Sequence, residues 1–432
     1  MAQLPNEALI LKYGHHSVSL PSNLPFHYTI LKPPHDLKPP LDTREYINSV
    51  LDSPEDTLPF DEFIKTGNSV LIILSDTTRT TLSELYLPVI IERLKQKGIA
   101  ERDITLLCAL GIHRKQTVDE HRVLIGPTLC DRFSVIDHDP FDRDSVDLLA
   151  TTRRGTPIAL NRLLTNADTI ILTGSIRFHY FAGFSGGRKS ILPGVSSFDA
   201  CVANHLLVLN PQEEGGRNPL ARPGVLQGNP VHEDMVDAAR LVKNGFLFNT
   251  IVSPQGQLLK AVSGDIHTAF QLGCCFLKEH FSIPLTEKAD LVIASCGGHP
   301  WDLNFIQAHK TMDMASGVLK DGGVMILFAE CSQGFGNPRF LEWFKHTNPD
   351  TFEAALRNNY EINGQTAYAT FLKARKHHII LISNLKKDEV RAASVVPAHT
   401  IEEALENAYR ILGKNPLTYI LPEGSSNLPY LV

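Results

Sequence analysis

SVLIILSDTTRTTLSELYLPVIIERLKQKGIAERDITLLCALGIHR, residues 69–114, contains two short apolar runs separated by a longer stretch with helical character. The runs at 69–74 and 104–110 have the length of strands, and the stretch at 81–97 has the length of a helix. A strand, a helix and a second strand in this order indicate a βαβ unit. Because the strands are apolar throughout, we expect a parallel sheet with helices on both of its faces.

The same alternation continues along the chain. A further strand is predicted at 169–173, and a second set of elements follows Pro284. This second set comprises strands at 289–295, 323–328 and 378–383 and a helix at 304–319. We therefore predict an α/β protein with two doubly wound, mostly parallel-sheet domains and an active-site cleft between them. The predicted division is an N-terminal domain at 1–283, a C-terminal domain at 284–415 and a tail at 416–432 that returns to the N-terminal domain.

Composition narrows the class of protein. The chain has 432 residues, of which 43% are hydrophobic and 20% charged, so it is globular and longer than one hydrophobic core usually supports. A net charge of -6 is too small to indicate nucleic acid or a membrane as partner, so we expect a small-molecule partner. The seven cysteines show no CxxC spacing, and the N-terminal residues show no export signal. Together these features predict a cytoplasmic protein with reduced thiols.

The strongest site signal is TGSIRFHYFAGFSGGRKSILPGVSSFDACVANH, residues 173–205. It places His179, Lys189 and His205 around a glycine-rich turn, in which Gly186 and Gly187 allow the backbone to approach a ligand closely. One amine and two imidazoles beside such a turn suit a bound anionic cofactor. Taken alone, each has an ordinary alternative, since His179 could be a solvated loop residue, Lys189 a surface residue and His205 a core residue.

The glycine-rich turn is not a P-loop. That motif requires glycine directly before its lysine, and Arg188 stands at this position. We therefore exclude a nucleoside triphosphatase. A weaker interpretation remains, in which backbone amides and Arg188 hold a phosphate or carboxylate. Lys189 would then bind a phosphate or form a covalent bond to a cofactor.

Polar residues also follow the predicted strands. Asp76 and Arg79 come after the first strand, where Arg79 could bind a carboxylate and where both could instead cap the next helix. His113 comes after the second strand and could act as a general base or be a solvated loop histidine. Gln307 and Lys310 occupy the corresponding place in the second set, where a solvated helix face is the alternative.

Together these motifs resemble the nickel-dependent lactate racemase family. The resemblance rests on His113 in ALGIHR, on His179 and Lys189 in HYFAGFSGGRKSILPG, and on His205, in the order and spacing of the family. The segment SDTTRT, and Gln307 with Lys310, extend the resemblance over most of the chain. One departure is Thr80, where family members often have proline after the arginine, and this affects local rigidity and substrate fit.

The resemblance implies a racemase or epimerase that inverts the α-carbon of a 2-hydroxy acid by hydride transfer. Its cofactor would be a nickel-pincer nucleotide, the pyridinium-3-thioamide-5-thiocarboxylic acid mononucleotide, made by dedicated biosynthesis enzymes. The implied roles are a covalent tether at Lys189, nickel coordination by His205, acid/base catalysis by His113 and His179, substrate binding by Arg79, Gln307 and Lys310, and cofactor contacts from Asp76, Thr77, Gly186, Gly187 and Arg188.

The chemistry of such a reaction agrees with these residues. The α-proton of a 2-hydroxy acid is poorly acidic, whereas hydride removal gives a flat 2-oxo acid, so an electrophilic cofactor is required. The hydroxyl proton must leave and return on opposite faces, which requires two bases. Two alternatives stay open, a pyridoxal-type enzyme with Lys189 as Schiff-base lysine and a non-catalytic protein that binds the nickel cofactor. The substrate is equally open among lactate, longer aliphatic acids, malate, aryl acids and sugar acids.

Overall fold

The computed structural model describes residues 9–21, 24, 26–35, 37–413 and 415–432. The chain divides into two compact units. The central unit comprises Asp36–Asn210 and Arg217–Glu279, and the terminal unit comprises Met1–His35, Pro211–Gly216 and His280–Val432. Within the described residues each unit contains a six-stranded sheet, and the predicted α/β class with mostly parallel sheets is confirmed.

The sheet of the central unit is arranged around the strand Val70–Ser75. This strand pairs in parallel with Ile104–Ala109 on one side and Thr169–Ser175 on the other. The order across the sheet is Leu258–Gly264, Gly245–Val252, Thr169–Ser175, Val70–Ser75, Ile104–Ala109 and Val135–Asp137. All pairings are parallel except the antiparallel pairing of the first two strands. The strand order reverses at Val70–Ser75, and ligands of open α/β sheets bind beyond the carboxyl ends of the strands at such a point.

The core of the central unit explains why its strands are apolar throughout. Ile72 and Leu74 are fully buried and belong to one cluster with Leu87 and Ile90 of the helix Ser83–Gln96. Burial of each such side chain stabilises the fold by about 1.5–3 kcal/mol. The helix predicted at 81–97 is observed at Ser83–Gln96, and the strand predicted at 104–110 is observed at Ile104–Ala109. Their ends differ from the predicted ones by at most two residues.

Helices and short ribbons complete the central unit. Its α-helices are Thr43–Asp52, Phe60–Phe63, Ser83–Gln96, Val118–Ile125, Pro127–Cys130, Arg162–Asn166, Phe198–Leu206, Pro230–Ala239 and Thr268–Phe281, the last of which ends in the terminal unit. Its 3-10 turns are Glu101–Asp103, Arg143–Ser145 and Gly187–Ser190. Antiparallel ribbons join Val146–Thr151 to Pro157–Asn161 and Phe178–His179 to Gly183–Phe184.

The terminal unit has a sheet in which every pairing is parallel. Its strand order is Val396–Ala398, His378–Ile382, Leu319–Phe328, Ala289–Ser295, Thr418–Leu421 and Tyr28–Ile30. Its helices are Phe305–Ser316, Pro349–Asn358, Ile362–Lys376, Lys387–Ala392 and Ile401–Leu412, with the 3-10 turn Leu341–Lys345. Two-stranded pairings join Ile10–Tyr13 to His16–Ser19 and Ser282–Leu285 to Leu428–Leu431. No helix in the described part of the chain combines the length and apolarity of a membrane span.

The division of the chain differs from the predicted one at both termini. Residues 1–35 were assigned to the N-terminal domain, but Tyr28–Ile30 is the edge strand of the terminal sheet. The tail at 416–432 was expected to return to the N-terminal domain, but Thr418–Leu421 is an inner strand of the terminal sheet. Thr418–Leu421 lies in this sheet because its four residues are all buried and pair with a strand on each side. The strand was not predicted because it is short and is followed directly by turn-forming residues.

Candidate functional site

Three neighbouring strands of the central sheet deliver the candidate residues. Val70–Ser75, Ile104–Ala109 and Thr169–Ser175 lie side by side and parallel, so their carboxyl ends share one edge of the sheet. Asp76 and Arg79 follow the first of these strands, His113 follows the second, and His179 follows the third. The loops predicted from sequence to meet are therefore brought to one edge.

Asp76 and His113 form a hydrogen-bonded pair across two of these loops. Nδ1 of His113 donates to Oδ2 of Asp76 over 2.8 Å, while the other carboxylate oxygen accepts from the backbone N–H of Thr78, also over 2.8 Å. Asp76 is 3% exposed, whereas the His113 side chain is 42% exposed. A proton donated by Nδ1 leaves the lone pair of His113 on Nε2, so the carboxylate orients the ring as a base.

The electrostatics of this pair keep Asp76 ionised. Burial raises the pKa of the Asp76 carboxyl, but the hydrogen bond from His113 and the charges of Arg79 and His113 outweigh burial and hold that pKa below its usual range. The alternative in which Asp76 caps the following helix is wrong. The helix Ser83–Gln96 begins after Leu82 and has no side-chain cap.

Arg79 lies next to a second arginine that the sequence analysis missed. The backbone N–H of Arg79 donates to the carbonyl oxygen of Asp76 over 3.0 Å. Burial and the charge of Arg79 lower the pKa of Arg177 to about 10, so the Arg177 guanidinium stays charged near neutral pH. Arg177 precedes His179 by two residues and its backbone N–H donates to Oγ of Ser185 over 2.9 Å. The edge of the central sheet at which these loops meet therefore carries two neighbouring guanidinium groups, which suit an anionic ligand.

His179 is held in a tight ribbon. The strand Phe178–His179 pairs with Gly183–Phe184, and Nδ1 of His179 accepts a hydrogen bond from the backbone N–H of Ala182 over 3.2 Å. Because an amide can only donate, the proton of the neutral ring is on Nε2. The Nε2 atoms of the two rings therefore differ. Nε2 of His113 carries a lone pair, whereas Nε2 of His179 carries a proton.

Phe181, also missed by the sequence analysis, contacts three of the candidate residues. Its ring centroid lies 4.6 Å from that of His179, 5.1 Å from that of His205 and 5.6 Å from Nζ of Lys189. Lys189 lies in the 3-10 turn Gly187–Ser190, and His205 lies on the helix Phe198–Leu206. The structure thus brings Lys189, His179 and His205 together around one aromatic ring.

His205 has the state that metal coordination requires. Its Nδ1 donates to the carbonyl oxygen of Cys201 over 2.7 Å, which leaves the lone pair on Nε2. Burial and the charge of Lys189 lower the pKa of His205 to about 3, so the ring is neutral at any physiological pH. The described residues form no group of three or more His, Cys, Asp and Glu side chains able to hold a metal ion by themselves.

The guanidinium of Arg188, which is predicted to contact the cofactor, makes its hydrogen bonds within the protein in this structure. Arg188 is 2% exposed, and its guanidinium donates to the carbonyl oxygens of Ala182, Phe184 and Gly186 and to Nδ1 of His232. These bonds use the planar fork of donors to hold the turn itself. The ring of Phe270 lies 4.4 Å from this guanidinium, which explains how a buried arginine is accommodated.

Gly186 and Gly187 are needed for packing within the protein. A Cβ at Gly186 would lie 2.6 Å from Oδ1 of Asn249, and one at Gly187 would lie 2.6 Å from the Phe270 ring. The N–H of Gly187 donates to Oδ1 of Asn249 over 2.7 Å. The glycines therefore let the turn approach a neighbouring strand and helix, and Arg188 fixes it there.

The other predicted residues make contacts of their own. The backbone N–H and hydroxyl of Thr77 both donate to Oε1 of Gln116. Gln307 and Lys310 belong to the terminal unit, on the helix Phe305–Ser316, where Nζ of Lys310 donates to Oε1 of Gln307 over 2.6 Å. The backbone N–H of Gln307 donates to Oδ1 of the helix cap Asn304 over 3.0 Å. These two residues thus lie together on the first turns of one helix.

Comparison with known proteins gives consistent matches over most of the chain. Residues 13–216 match the lactate racemase N-terminal domain, and residues 285–428 match the lactate racemase C-terminal domain. The lactate racemase of Thermoanaerobacterium thermosaccharolyticum is 32% identical over 88% of this chain and 89% of its own. That of Lactiplantibacillus plantarum is 32% identical over 89% of this chain and 90% of its own. The structure of the T. thermosaccharolyticum apoprotein superposes with a TM-score of 0.88, covering 98% of this chain and 100% of the other at 29% identity.

Proposed function

The chain belongs to the lactate racemase family, and from that premise we propose that it inverts the α-carbon of lactate or a related 2-hydroxy acid. It is a lactate racemase-like isomerase. The observation that carries the proposed reaction is the Asp76–His113 pair at the same sheet edge as His179. A carboxylate-oriented imidazole is a suitable acceptor for the hydroxyl proton that must leave the substrate.

In the proposed reaction Arg79 binds the substrate carboxylate through its planar fork of donors, and Nε2 of His113 takes the hydroxyl proton from one face. Asp76 holds the ring and stabilises the positive charge that this proton brings. His179 serves the opposite face. Because Ala182 occupies Nδ1 of His179, the ring must release that amide before Nε2 can act as a base. Gln307 and Lys310 are proposed to contact the substrate as well.

Lys189 and His205 fit the cofactor that the family resemblance implies. The nickel-pincer nucleotide, when bound, would supply the electrophile that accepts the hydride. Lys189 would provide its amine for the tether, and His205 would provide the one imidazole that the pincer needs from the protein, already neutral and in the tautomer that places its lone pair on Nε2. Asp76 and Thr77 are proposed to lie near this cofactor. Its biosynthesis enzymes are the proposed partners in vivo.

The test of this function is a panel of enantiopure 2-hydroxy acids mixed with protein that has been coexpressed with the cofactor-making enzymes. Chiral chromatography is expected to show equal amounts of both enantiomers of at least one acid. A loaded protein that inverts none of them would be a cofactor-binding protein. An absorption spectrum and metal content typical of pyridoxal phosphate, without nickel, would instead indicate a Schiff-base enzyme.

Replacing His205 by alanine is expected to remove nickel and leave the tether intact. The imidazole is the proposed metal ligand, whereas the proposed covalent bond is at Lys189. Intact-protein mass spectrometry should show the mass of the metal-free nucleotide, and elemental analysis should show nickel lowered to background. Full nickel content in the variant would contradict the ligand role.

Replacing Arg79 by lysine is expected to raise the KM for the 2-hydroxy acid by about tenfold or more, because an ammonium cannot reproduce the two parallel hydrogen bonds of a guanidinium. Arg44→Lys is a matched control, since Arg44 pairs with Glu92 on an exposed surface. Initial rates measured over a range of substrate concentrations decide the matter. Unchanged kinetics in Arg79→Lys would exclude carboxylate binding by Arg79.

A further inference from the structure

Gln116 ties together the two loops that carry Asp76 and His113. Its Oε1 accepts from the backbone N–H of Thr77 over 3.2 Å and from the Thr77 hydroxyl over 2.5 Å. Thr77 directly follows Asp76, and Gln116 follows His113 by three residues. One amide oxygen therefore fixes the loop of Asp76 to the loop of His113.

The backbone of Gln116 is itself held at the end of the edge strand of the central sheet. Its backbone N–H donates to Oδ2 of Asp137 over 2.7 Å, and Nε2 of His121 contacts the other oxygen of Asp137 over 2.8 Å. Asp137 ends the strand Val135–Asp137, and its side chain is 10% exposed. The Gln116 side chain is held as well, since its Nε2 donates to the carbonyl oxygen of Arg114 over 3.4 Å.

The loop after Gln116 is fixed as well. Thr117 caps the helix Val118–Ile125 in a capping box with Glu120, which also binds the guanidinium of Arg114. The segment that carries His113 is thus anchored at its C-terminal end. The Gln116 side chain links this anchored segment to Thr77 through the two hydrogen bonds that it accepts. The segment that carries Asp76 contains no residue of a helix or strand between Ser75 and Ser83, so this support acts on a loop.

We propose that Gln116 is a positioning residue, which holds Thr77 so that the Asp76 carboxylate stays in line with Nδ1 of His113. The inference rests on the proposed function, since it assigns the aligned pair to proton transfer. Without the amide oxygen, two donors of Thr77 turn to water and the Asp76 loop gains freedom. A displacement of about 1 Å at a reacting group can lower a rate by about a hundredfold.

The kinetic test uses Gln116→Leu with Gln271→Leu as matched control, because Gln271 is exposed on the helix Thr268–Phe281. In loaded protein, Gln116→Leu is expected to lower kcat by about ten- to a hundredfold with little change in KM, since Arg79 still binds the substrate. Gln271→Leu is expected to keep the wild-type values. A higher KM with unchanged kcat in Gln116→Leu would overturn the proposal.

A second readout needs neither substrate nor cofactor. Nitrogen-15 NMR of the His113 ring reports which nitrogen carries the proton, and the wild type is expected to show a single Nδ1–H tautomer. In Gln116→Leu a mixture of tautomers is expected, because the carboxylate is no longer fixed on Nδ1. A ring that keeps its single tautomer in this variant would overturn the proposal even if no racemase activity were found for the wild type.

Thr77→Val keeps the test open if Gln116→Leu does not fold, as it removes only one hydroxyl donor. If both residues act through their shared bond, the double variant is expected to lose no more kcat than the more impaired of the two single variants. Multiplicative losses would show that Thr77 and Gln116 act independently and would contradict the proposal. Melting temperatures of all variants identify any loss that comes from unfolding.

Discussion

Replacing Lys189 by alanine is expected to remove the covalently bound nucleotide mass completely and, with it, all racemase activity. The lysine amine is the group proposed to form the thioamide tether, and a methyl side chain cannot form that bond. Nζ of Lys189 lies 5.6 Å from the Phe181 ring that contacts His179 and His205, so the lysine lies near both candidate histidines. Intact-protein mass spectrometry after coexpression with the cofactor-making enzymes measures the outcome.

Two further variants make this test specific. Lys189→Arg keeps a positive charge at the turn but offers no amine for acylation, so it too is expected to lack the added mass. Lys95→Ala is the matched control, because Lys95 pairs with Glu101 on an exposed surface and is expected to leave the mass unchanged. If Lys189→Ala still carried the nucleotide mass, the tether would lie elsewhere and the central assignment would be wrong.

The order of strands and helices could be predicted because the sheets are covered on both faces. Such strands are continuous apolar runs, and Val70–Ser75 and Ala289–Ser295 differ from their predicted bounds by one residue or none. The domain division was harder to predict. Tyr28–Ile30 is a three-residue edge strand, and its pairing with Thr418–Leu421 joins residues almost 400 positions apart, which no local pattern reveals.

The candidate residues could be named from spacing, but their partners could not. The family resemblance implies that Asp76 lies near the cofactor, whereas its carboxylate oxygens accept hydrogen bonds from His113 and from the backbone N–H of Thr78. Arg188 beside a glycine turn indicated an anion site, yet its donors bind three carbonyl oxygens and His232. Sequence gives the type of a side chain, while burial decides whether protein or ligand satisfies its hydrogen bonds.

Gln116 and Phe181 show two kinds of omission. Phe181 lies inside the motif that carries the family resemblance, and an aromatic ring two residues from a candidate histidine could have been noticed there. Gln116 gave no such signal, since a glutamine in a polar loop is usually solvated. Its role follows only from the register that brings Asp137 beside Cys108, and thus beside the loop of His113.

The tautomers of the two histidines bear directly on how racemisation proceeds. The carboxylate of Asp76 leaves Nε2 of His113 as an acceptor, whereas the Ala182 amide places the proton of His179 on Nε2. The two rings are therefore not equivalent in the resting protein. In the proposed reaction His113 can take a proton in this tautomer, whereas His179 first requires a change in the 180–182 turn. Because of this asymmetry, the rate of 2-oxo acid formation is expected to differ between the two enantiomers.

Replacing either His113 or His179 by glutamine is accordingly expected to stop net racemisation, with a loss of roughly 10²–10⁴-fold or more, because one face of the substrate loses its acid or base. The remaining histidine can still take the hydroxyl proton from one enantiomer. Each loaded variant is therefore expected to give a burst of 2-oxo acid with one enantiomer only, and the two variants should prefer opposite enantiomers. The burst in His179→Gln, which keeps His113, should be the faster of the two.

Rapid mixing with each pure enantiomer, followed by acid quench and quantification of the 2-oxo acid, measures both the preference and the rate. His399→Gln is a matched control at an exposed position of the terminal unit and is expected to racemise like the wild type. The same enantiomer preference in both variants would contradict the two-face arrangement. A faster burst in His113→Gln would show that the Ala182 amide does not restrain His179, and a variant that racemises near the wild-type rate would show that its histidine is not a base.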